Sequence, residues 1–421
     1  MVNIISRRKF LTLAGAMGAT AIYKSLTPST SMFAYAAQTA QASSIGQTPV
    51  LIVLNARGGW SHNIAPLYHG AYRDKMPTLS YAPEDSLPLN FEQGLHPALT
   101  NLKSIYDEGN LALINGVGYP QVNRSHDESE TLMFLGAQGG LDNSMSAAVA
   151  GGWAARLTCQ SSSIFSGISL GGSTELIEGA CNPPRSFGDL SNFGESSIRW
   201  DDRRSLWMRQ HRDALIAQGD GTAVAALSPV RNNVNNIEAS ISTVRAVTQR
   251  PFNFTFPNTS LGAACRDAVK LINAPELGTQ FIYLSKGGFD THSGELASLN
   301  TLLADIDTSL AAMVAALKSL GHYSRVTIMS ISEFSRTFEN NSQGTDHGHA
   351  GPMFVLGGRV QGGVKSQAYS AAETTGDYYG DYRVHYSQAF KDWTYAAGFD
   401  AERVFPRAIP NPQTLNLFTS S

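Results

Sequence analysis

The sequence predicts an α/β fold, a three-layer sandwich in which helices cover both faces of a mostly parallel central sheet. Two observations carry that prediction. Apolar strand-like runs alternate with helix-period runs in both halves of the chain, and acids and imidazoles follow the apolar runs rather than lying inside them. The bulk numbers agree, since 421 residues with 42% hydrophobic and 15% charged residues can bury a large core. The expected organisation is a signal segment over 1–36, a Gln/Ala/Ser linker over 37–48 and one α/β domain over 49–421.

Taken in order, Val50 to Leu54 is a short apolar strand set off by Pro49 and by the loop Arg57-Gly58-Gly59-Trp60-Ser61-His62. Pro97 suits a first helical turn, Leu99, Leu102 and Ile105 follow at helical spacing, and Gly109 stops that helix. His96 reads as structural at its start. Leu111 to Ile114 is the next strand, and a helix is expected from Asp127 to Leu135. Residues 137–260 mix Gly/Ser-rich loops with a polar helical stretch, Ser205 to Gln218, and read as an elaboration over one edge or face. Alternation then resumes with a strand at Phe281 to Leu284. A long amphipathic helix runs through Leu299, Leu303, Ile306, Leu310, Met313 and Leu317 and stops at Gly321. Strands at Val326 to Ile331 and Met353 to Leu356 follow, then a final helix around Tyr386 to Ala397.

The N-terminus carries an address. Ser6-Arg7-Arg8-Lys9-Phe10-Leu11 precedes a mild apolar run, Leu13 to Tyr23, and Ala34-Tyr35-Ala36 offers a small-x-small cleavage site. This is the pattern of a twin-arginine signal peptide, because the run is too short and too rich in Gly and Ala to cross a bilayer. The mature protein is expected to be exported, periplasmic or beyond, with the twin-arginine translocase as its partner during export. No later segment reads as a membrane span. Cleavage would remove Arg7, Arg8, Lys9 and Lys24 and no acid, taking the net charge from −3 to −7. With that balance and no basic block, nucleic acid is not an expected partner. The three cysteines lack metal-type spacing, and an oxidising compartment leaves either a Cys159–Cys181 disulfide or buried free thiols open.

The chemistry-bearing residues cluster after the strands. Asp290 and His292 close Gly287-Gly288-Phe289-Asp290-Thr291-His292, Glu333 follows the strand at Ile331, and Asp346-His347-Gly348-His349 sits between two strands. Such oxygen and imidazole donors suit zinc, manganese, magnesium or calcium. Ser125 falls near a helix N-terminus, where free N–H groups and the dipole favour an anion. Each feature has a plainer alternative: Ser125 as a helix cap, Asp290 to His292 as an Asx-type turn, Glu333 with Arg336 as a surface pair.

Taken together, the Gly-Gly loop, Leu95-His96-Pro97-Ala98-Leu99, Asn123-Arg124-Ser125-His126, the Gly287–His292 run, Ser332-Glu333-Phe334 and Thr345-Asp346-His347-Gly348 with Pro352-Met353 form a pattern. On it the chain resembles the exported family called domain of unknown function 1501, itself similar to the alkaline phosphatase and sulfatase superfamily. The resemblance implies an alkaline phosphatase/sulfatase-like sandwich that hydrolyses a small-molecule or polymeric phosphate or sulfate ester at a divalent-metal centre. It implies Ser125 as nucleophile, Asn123 and Arg124 as holders of ester oxygens, and Asp290, His292, Glu333, Asp346, His347 and His349 as ligands. One departure stands out. The family usually places an Asp in the first loop, in a Gly-Gly-Asn-Asp type motif, where this chain has Ser61. Three consequences stay open: Ser61 or His62 as an additional ligand, one metal lost, or a catalytically inactive relative. The last would keep a structural metal site and act in envelope assembly or partner binding.

Overall fold

In the computed structural model, strand β1, Val50–Arg57, lies at the middle of a nine-stranded sheet, hydrogen-bonded on one side to β7, Phe281–Gly287, and on the other to β8, Val326–Ile331. The structure describes residues 48–119, 124–136, 151–159, 161, 163–179, 185–190, 241–365, 380–381, 404–405 and 415–418. The expected signal segment, the expected linker up to residue 47, Asn123, Cys181 and the expected helices at Ser205–Gln218 and Tyr386–Ala397 lie outside them.

In chain order the other described elements are α1 (Gly70–Lys75), β2 (Leu87–Pro88), β3 (Gly94–Leu95), α2 (Thr100–Asp107), β4 (Leu111–Gly118), α3 (His126–Leu135), α4 (Trp153–Thr158), β5 (Gly167–Ser169), β6 (Arg185–Ser186), α5 (Ser260–Ile272), α6 (Glu295–Ser319), β9 (Arg336–Glu339), β10 (Thr345–His347), β11 (Gly351–Gly357), β12 (Gly363–Val364) and β13 (Gly380–Asp381). The sheet order is β12-β4-β11-β8-β1-β7-β5-β6, with β13 also on β4. β1 is parallel to β7 and β8, whereas β11 runs antiparallel to both β8 and β4. The sheet is therefore mostly parallel with one reversed strand. That reversal matters for function: β1, β4, β7 and β8 all finish at one edge, and β11 starts there.

The period of two in β1 builds the three layers. Val50, Ile52, Leu54 and Ala56 join one core with α2, α5 and α6, through residues such as Leu102, Cys265, Leu303 and Leu310. Leu51 and Val53 join a second core with α3 and α4, through Leu132, Met133, Phe134 and Trp153. Both faces are thus dry, as near-continuous apolar strands require. Burial pushes the Cys265 thiol well up, so it behaves as a packing group; Cys159 is disulfide-bonded.

Several boundaries moved for identifiable reasons. The helix after Pro97 begins only at Thr100, because Asp307 on α6 accepts from the amides of Asn101 (3.1 Å) and Leu102 (2.8 Å) and so sets the first turn there. His96 is buried between the Tyr81 hydroxyl (2.9 Å) and the Ala98 amide (3.1 Å), the structural role expected. Helix α6 corrects the expectation that no later segment is long and apolar enough to span a bilayer: by length and composition it is. Its Leu299, Leu303, Ile306, Leu310, Met313 and Leu317 are instead packed in the core, and it carries buried Glu295 and Asp307.

Candidate metal centre

The strand ends bring four side chains together. Asp290 and His292 follow β7, His347 ends β10, and His126 opens α3 after β4. Helix α3 is docked by a polar lock at the end of β1. Asn55 donates to Glu130 (2.9 Å) and to the Tyr283 hydroxyl (3.0 Å), while Arg57 pairs with Glu130 at 2.9 Å. Burial keeps the Glu130 carboxyl above its usual range despite Arg57. Gly58 adds a close approach. Its φ is +120° and a Cβ there would lie 2.2 Å from the Asp290 amide nitrogen, so only glycine lets the first loop touch the loop that carries Asp290.

Within the cluster each histidine is pinned through Nδ1 and turns Nε2 inward. His292 Nδ1 is 2.9 Å from the Asp346 carboxylate, His126 Nδ1 is 2.9 Å from Glu333 Oε1, and His347 Nδ1 is 2.7 Å from the Arg124 carbonyl. Those partners only accept, so each Nδ1 carries the proton and each Nε2 presents a lone pair. The three Nε2 atoms converge on Asp290 Oδ1, at 2.9 Å for His292, 3.1 Å for His347 and 3.5 Å for His126. The Nε2 atoms of His292 and His347 are 3.2 Å apart. His126 Nε2 is buried with no hydrogen-bond partner.

Lone pairs facing a carboxylate repel unless something positive sits among them. Four donors around a tetrahedral ion at about 2.0–2.1 Å stand roughly 3.3 Å from one another. The three separations from Asp290 Oδ1 and the one between His292 and His347, 2.9 to 3.5 Å, are close to that spacing. The orphaned His126 nitrogen and these donors therefore fit a divalent metal, with His126, Asp290 and His347 as the group whose donor atoms all lie within 4.8 Å of one another and His292 beside them. Asp290 is held ionised. Its burial works upward, but the Arg336 hydrogen bond at 2.6 Å and the guanidinium charge work against it, and the pKa is lowered. The hydrogen bond from His292 likewise lowers Asp346.

The other candidate residues take definite places. Glu333 is buried, with Oε1 on the Gly58 amide (2.7 Å) and His126, and Oε2 on Ser332 Oγ (3.1 Å). Glu333 and Arg336 are not the surface pair that their spacing allows. Both are buried, and Arg336 reaches across to Asp290 and to the Gly58 carbonyl. His349 Nε2 is 2.9 Å from the Arg124 guanidinium. Arg124 is exposed, has a left-handed φ of +61°, and pairs with no carboxylate among the described residues. Ser125, also exposed, is the N-cap residue of α3 and makes no side-chain cap bond. The first-loop pair has been drawn elsewhere. Ser61 is buried and donates to Glu295 at 2.5 Å, and His62 is buried, stacked on Phe338, with its pKa lowered to about 4 by burial.

The fold and cluster together define an α/β protein with a candidate metal site at the carboxyl edge of a mostly parallel sheet. Comparison with known proteins narrows this. Residues 257–417 match the model of a family described as protein of unknown function, DUF1501, bearing out the resemblance seen in the motifs. No curated protein matches the sequence. Among solved structures the chain is similar to Ps i-CgsB in complex with k-i-k-neocarrahexaose, at 12% identity over 85% of this chain and 74% of that one, TM-score 0.40. It is similar to PsFucS1 sulfatase from Pseudoalteromonas sp., at 11% identity over 89% and 70%, TM-score 0.36. A mutant of alkaline phosphatase PafA aligns at 12% identity over 70% and 65%, TM-score 0.34.

Proposed function

We propose that this protein is an exported, metal-dependent hydrolase of phosphate or sulfate esters, with the ion held by His126, His292, His347 and Asp290. One observation carries the reading: three imidazoles, each fixed through Nδ1, aim their Nε2 lone pairs at one carboxylate oxygen. Three nitrogens and one oxygen favour a zinc-type transition metal over magnesium or calcium, which take oxygen-rich shells. Asp346 and Glu333 act on this account as orienting partners of His292 and His126. When bound, such an ion supplies Lewis acidity to an ester oxygen and to the attacking hydroxyl.

The chain's own residues do the rest. Ser125 is the nucleophile, placed at the N-terminus of α3 where amide dipoles favour the negative charge of the ester and of the attacking oxygen. Arg124 reads the anionic oxygens of the substrate, since among the described residues its guanidinium bonds only an imidazole and keeps donors for a planar anion. His349 steadies that guanidinium. The left-handed backbone at Arg124 turns its carbonyl onto His347, so substrate recognition and ligand geometry share one residue. Asn123 is proposed as a further holder of ester oxygens, and the twin-arginine signal as the export route. The inactive-relative alternative drew its support from Ser61. That residue is occupied with Glu295, away from the donor set, and the four donors assemble without it.

The test is elemental analysis of the purified mature protein with turnover of aryl phosphate and aryl sulfate esters. Near-stoichiometric zinc-type metal is expected, lost in a His126→Ala/His347→Ala double variant. Ser125→Ala should keep the metal and lose at least about 100-fold in turnover. A wild type that takes up no zinc, manganese or cobalt would sink the proposal.

A further inference from the structure

Beneath the donor cluster lies a second carboxylate that the chemistry above does not use. Glu295, the first residue of α6, is fully buried, yet no cation among the described residues pairs with it. Its Oε1 accepts from Ser61 Oγ (2.5 Å) and Asn63 Nδ2 (3.2 Å), and its Oε2 from Thr291 Oγ1 (3.0 Å) and Thr345 Oγ1. A buried carboxylate with four side-chain donors from three separate loops is costly to assemble and is not a helix-capping device. The donors are telling. Thr291 lies between Asp290 and His292, and Thr345 immediately precedes Asp346 and His347. A single oxygen of Glu295 thus ties together the two loops that carry three of the four donors. Thr345 also accepts from Arg336 Nε (3.3 Å), and the same guanidinium holds Asp290 at 2.6 Å. The Glu295 amide adds a bond to the Gln343 carbonyl at the tip between β9 and β10 (3.0 Å).

We propose that Glu295 is a positioning residue for the metal centre. It sets the spacing between the Asp290–His292 loop and His347 through Thr291, Thr345 and Arg336, and it makes Ser61 an anchor of the first loop rather than a ligand. The inference rests on the metal-centre reading above and deepens it. Removing Glu295 should leave the ligands present but out of register.

The same helix offers a matched control. Asp307 is also a buried carboxylate with several donors, the amides of Asn101 and Leu102 and the Asn101 side chain (2.6 Å), but it serves α2 and touches no ligand loop. The experiment is cobalt(II) titration of the metal-stripped full chain, reading both affinity and the visible d–d bands that report coordination. Glu295→Gln keeps the volume but puts an amide donor against hydroxyl donors. It should weaken cobalt binding about 10–100-fold and reduce the band intensity typical of a four-coordinate site. Thr345→Val should do likewise and Thr345→Ser should behave as wild type, a pair that decides the matter if Glu295→Gln does not fold. Asp307→Asn should lower the thermal midpoint while leaving cobalt affinity and spectrum unchanged. The proposal is overturned if Glu295→Gln binds cobalt within about threefold of wild type with an unchanged spectrum, or if Asp307→Asn weakens binding as much. A wild type that binds no cobalt overturns the metal centre itself, so the two failures are distinguishable.

Discussion

Replacing Glu333 by Gln tests whether the inward-facing lone pair of His126 is imposed by its surroundings. The wild-type carboxylate accepts from His126 Nδ1 (2.9 Å), the Gly58 amide (2.7 Å) and Ser332 Oγ (3.1 Å) in a buried setting. Gln keeps one accepting oxygen and swaps the other for two donors. With its oxygen kept on His126 and Gly58, the amide can donate to Ser332 Oγ, whose own proton has the Ala56 carbonyl at 2.7 Å, so the change removes the charge behind the His126 hydrogen bond and little else. Two effects follow from that geometry. The apo protein should lose about 1 kcal/mol, the usual difference between hydrogen bonds to a charged and to a neutral acceptor. Zinc affinity should fall about 10–100-fold, or ~1.4–2.7 kcal/mol, because the imidazole can now rotate or change tautomer. Competition against a fluorescent chelator, run beside chemical denaturation of the metal-free protein, separates the two. If stability drops while zinc affinity stays within about threefold, Glu333 is only a packing acid and the orientation argument is wrong.

Two further outcomes are expected. The imidazoles of His62 and His96 are both lowered from 6.5 to about 4 by burial, so the folded state excludes protons that the unfolded chain takes up. Their contribution is therefore fully present above about pH 6.5 and is lost as pH falls towards about 4, by up to ~3 kcal/mol each; level stability across that window in chelator-treated protein would contradict it. Gly58→Ala should destabilise by about 3 kcal/mol or more, since a positive φ and a 2.2 Å approach to backbone coincide, and it should weaken zinc binding by shifting Asp290. A variant with wild-type melting and metal content would show that the loop simply steps aside.

Much of the fold was legible because the relevant signals are local. Strands β1, β4, β7 and β8 and helix α6 follow from period and punctuation, though β4 and β7 run several residues further towards the site than their apolar cores suggest. The reversal of β11 was not legible, since an apolar run such as Met353 to Leu356 carries no direction. Within the site, Asp290, His292 and His347 stand out as motif residues. His126 is part of the quoted Asn123–His126 motif, yet beside Ser125 it reads as an accompaniment to a cap. Only the docking of α3 against β8's outgoing loop turns it inward. Arg336 is hidden for a related reason: its spacing of three from Glu333 leaves a surface pair open as the plainer alternative, and nothing local announces that both side chains are buried and point to different partners.

The reversed strand has a consequence for how such a site can change over evolutionary time. A parallel strand would need a long crossover before the chain could re-enter the sheet. Here the chain leaves β8, makes the short hairpin of β9 and β10 at the rim, and drops straight into β11. The exposed tip at Asn341 and Ser342 therefore lies next to the His292 loop, which Asn340 Nδ2 joins at the His292 carbonyl (3.1 Å), while bearing none of the large sheet's hydrogen bonding. Lengthening or recomposing that tip would reshape the mouth of the site, and so the size of molecule admitted, without asking the scaffold below to re-solve its packing.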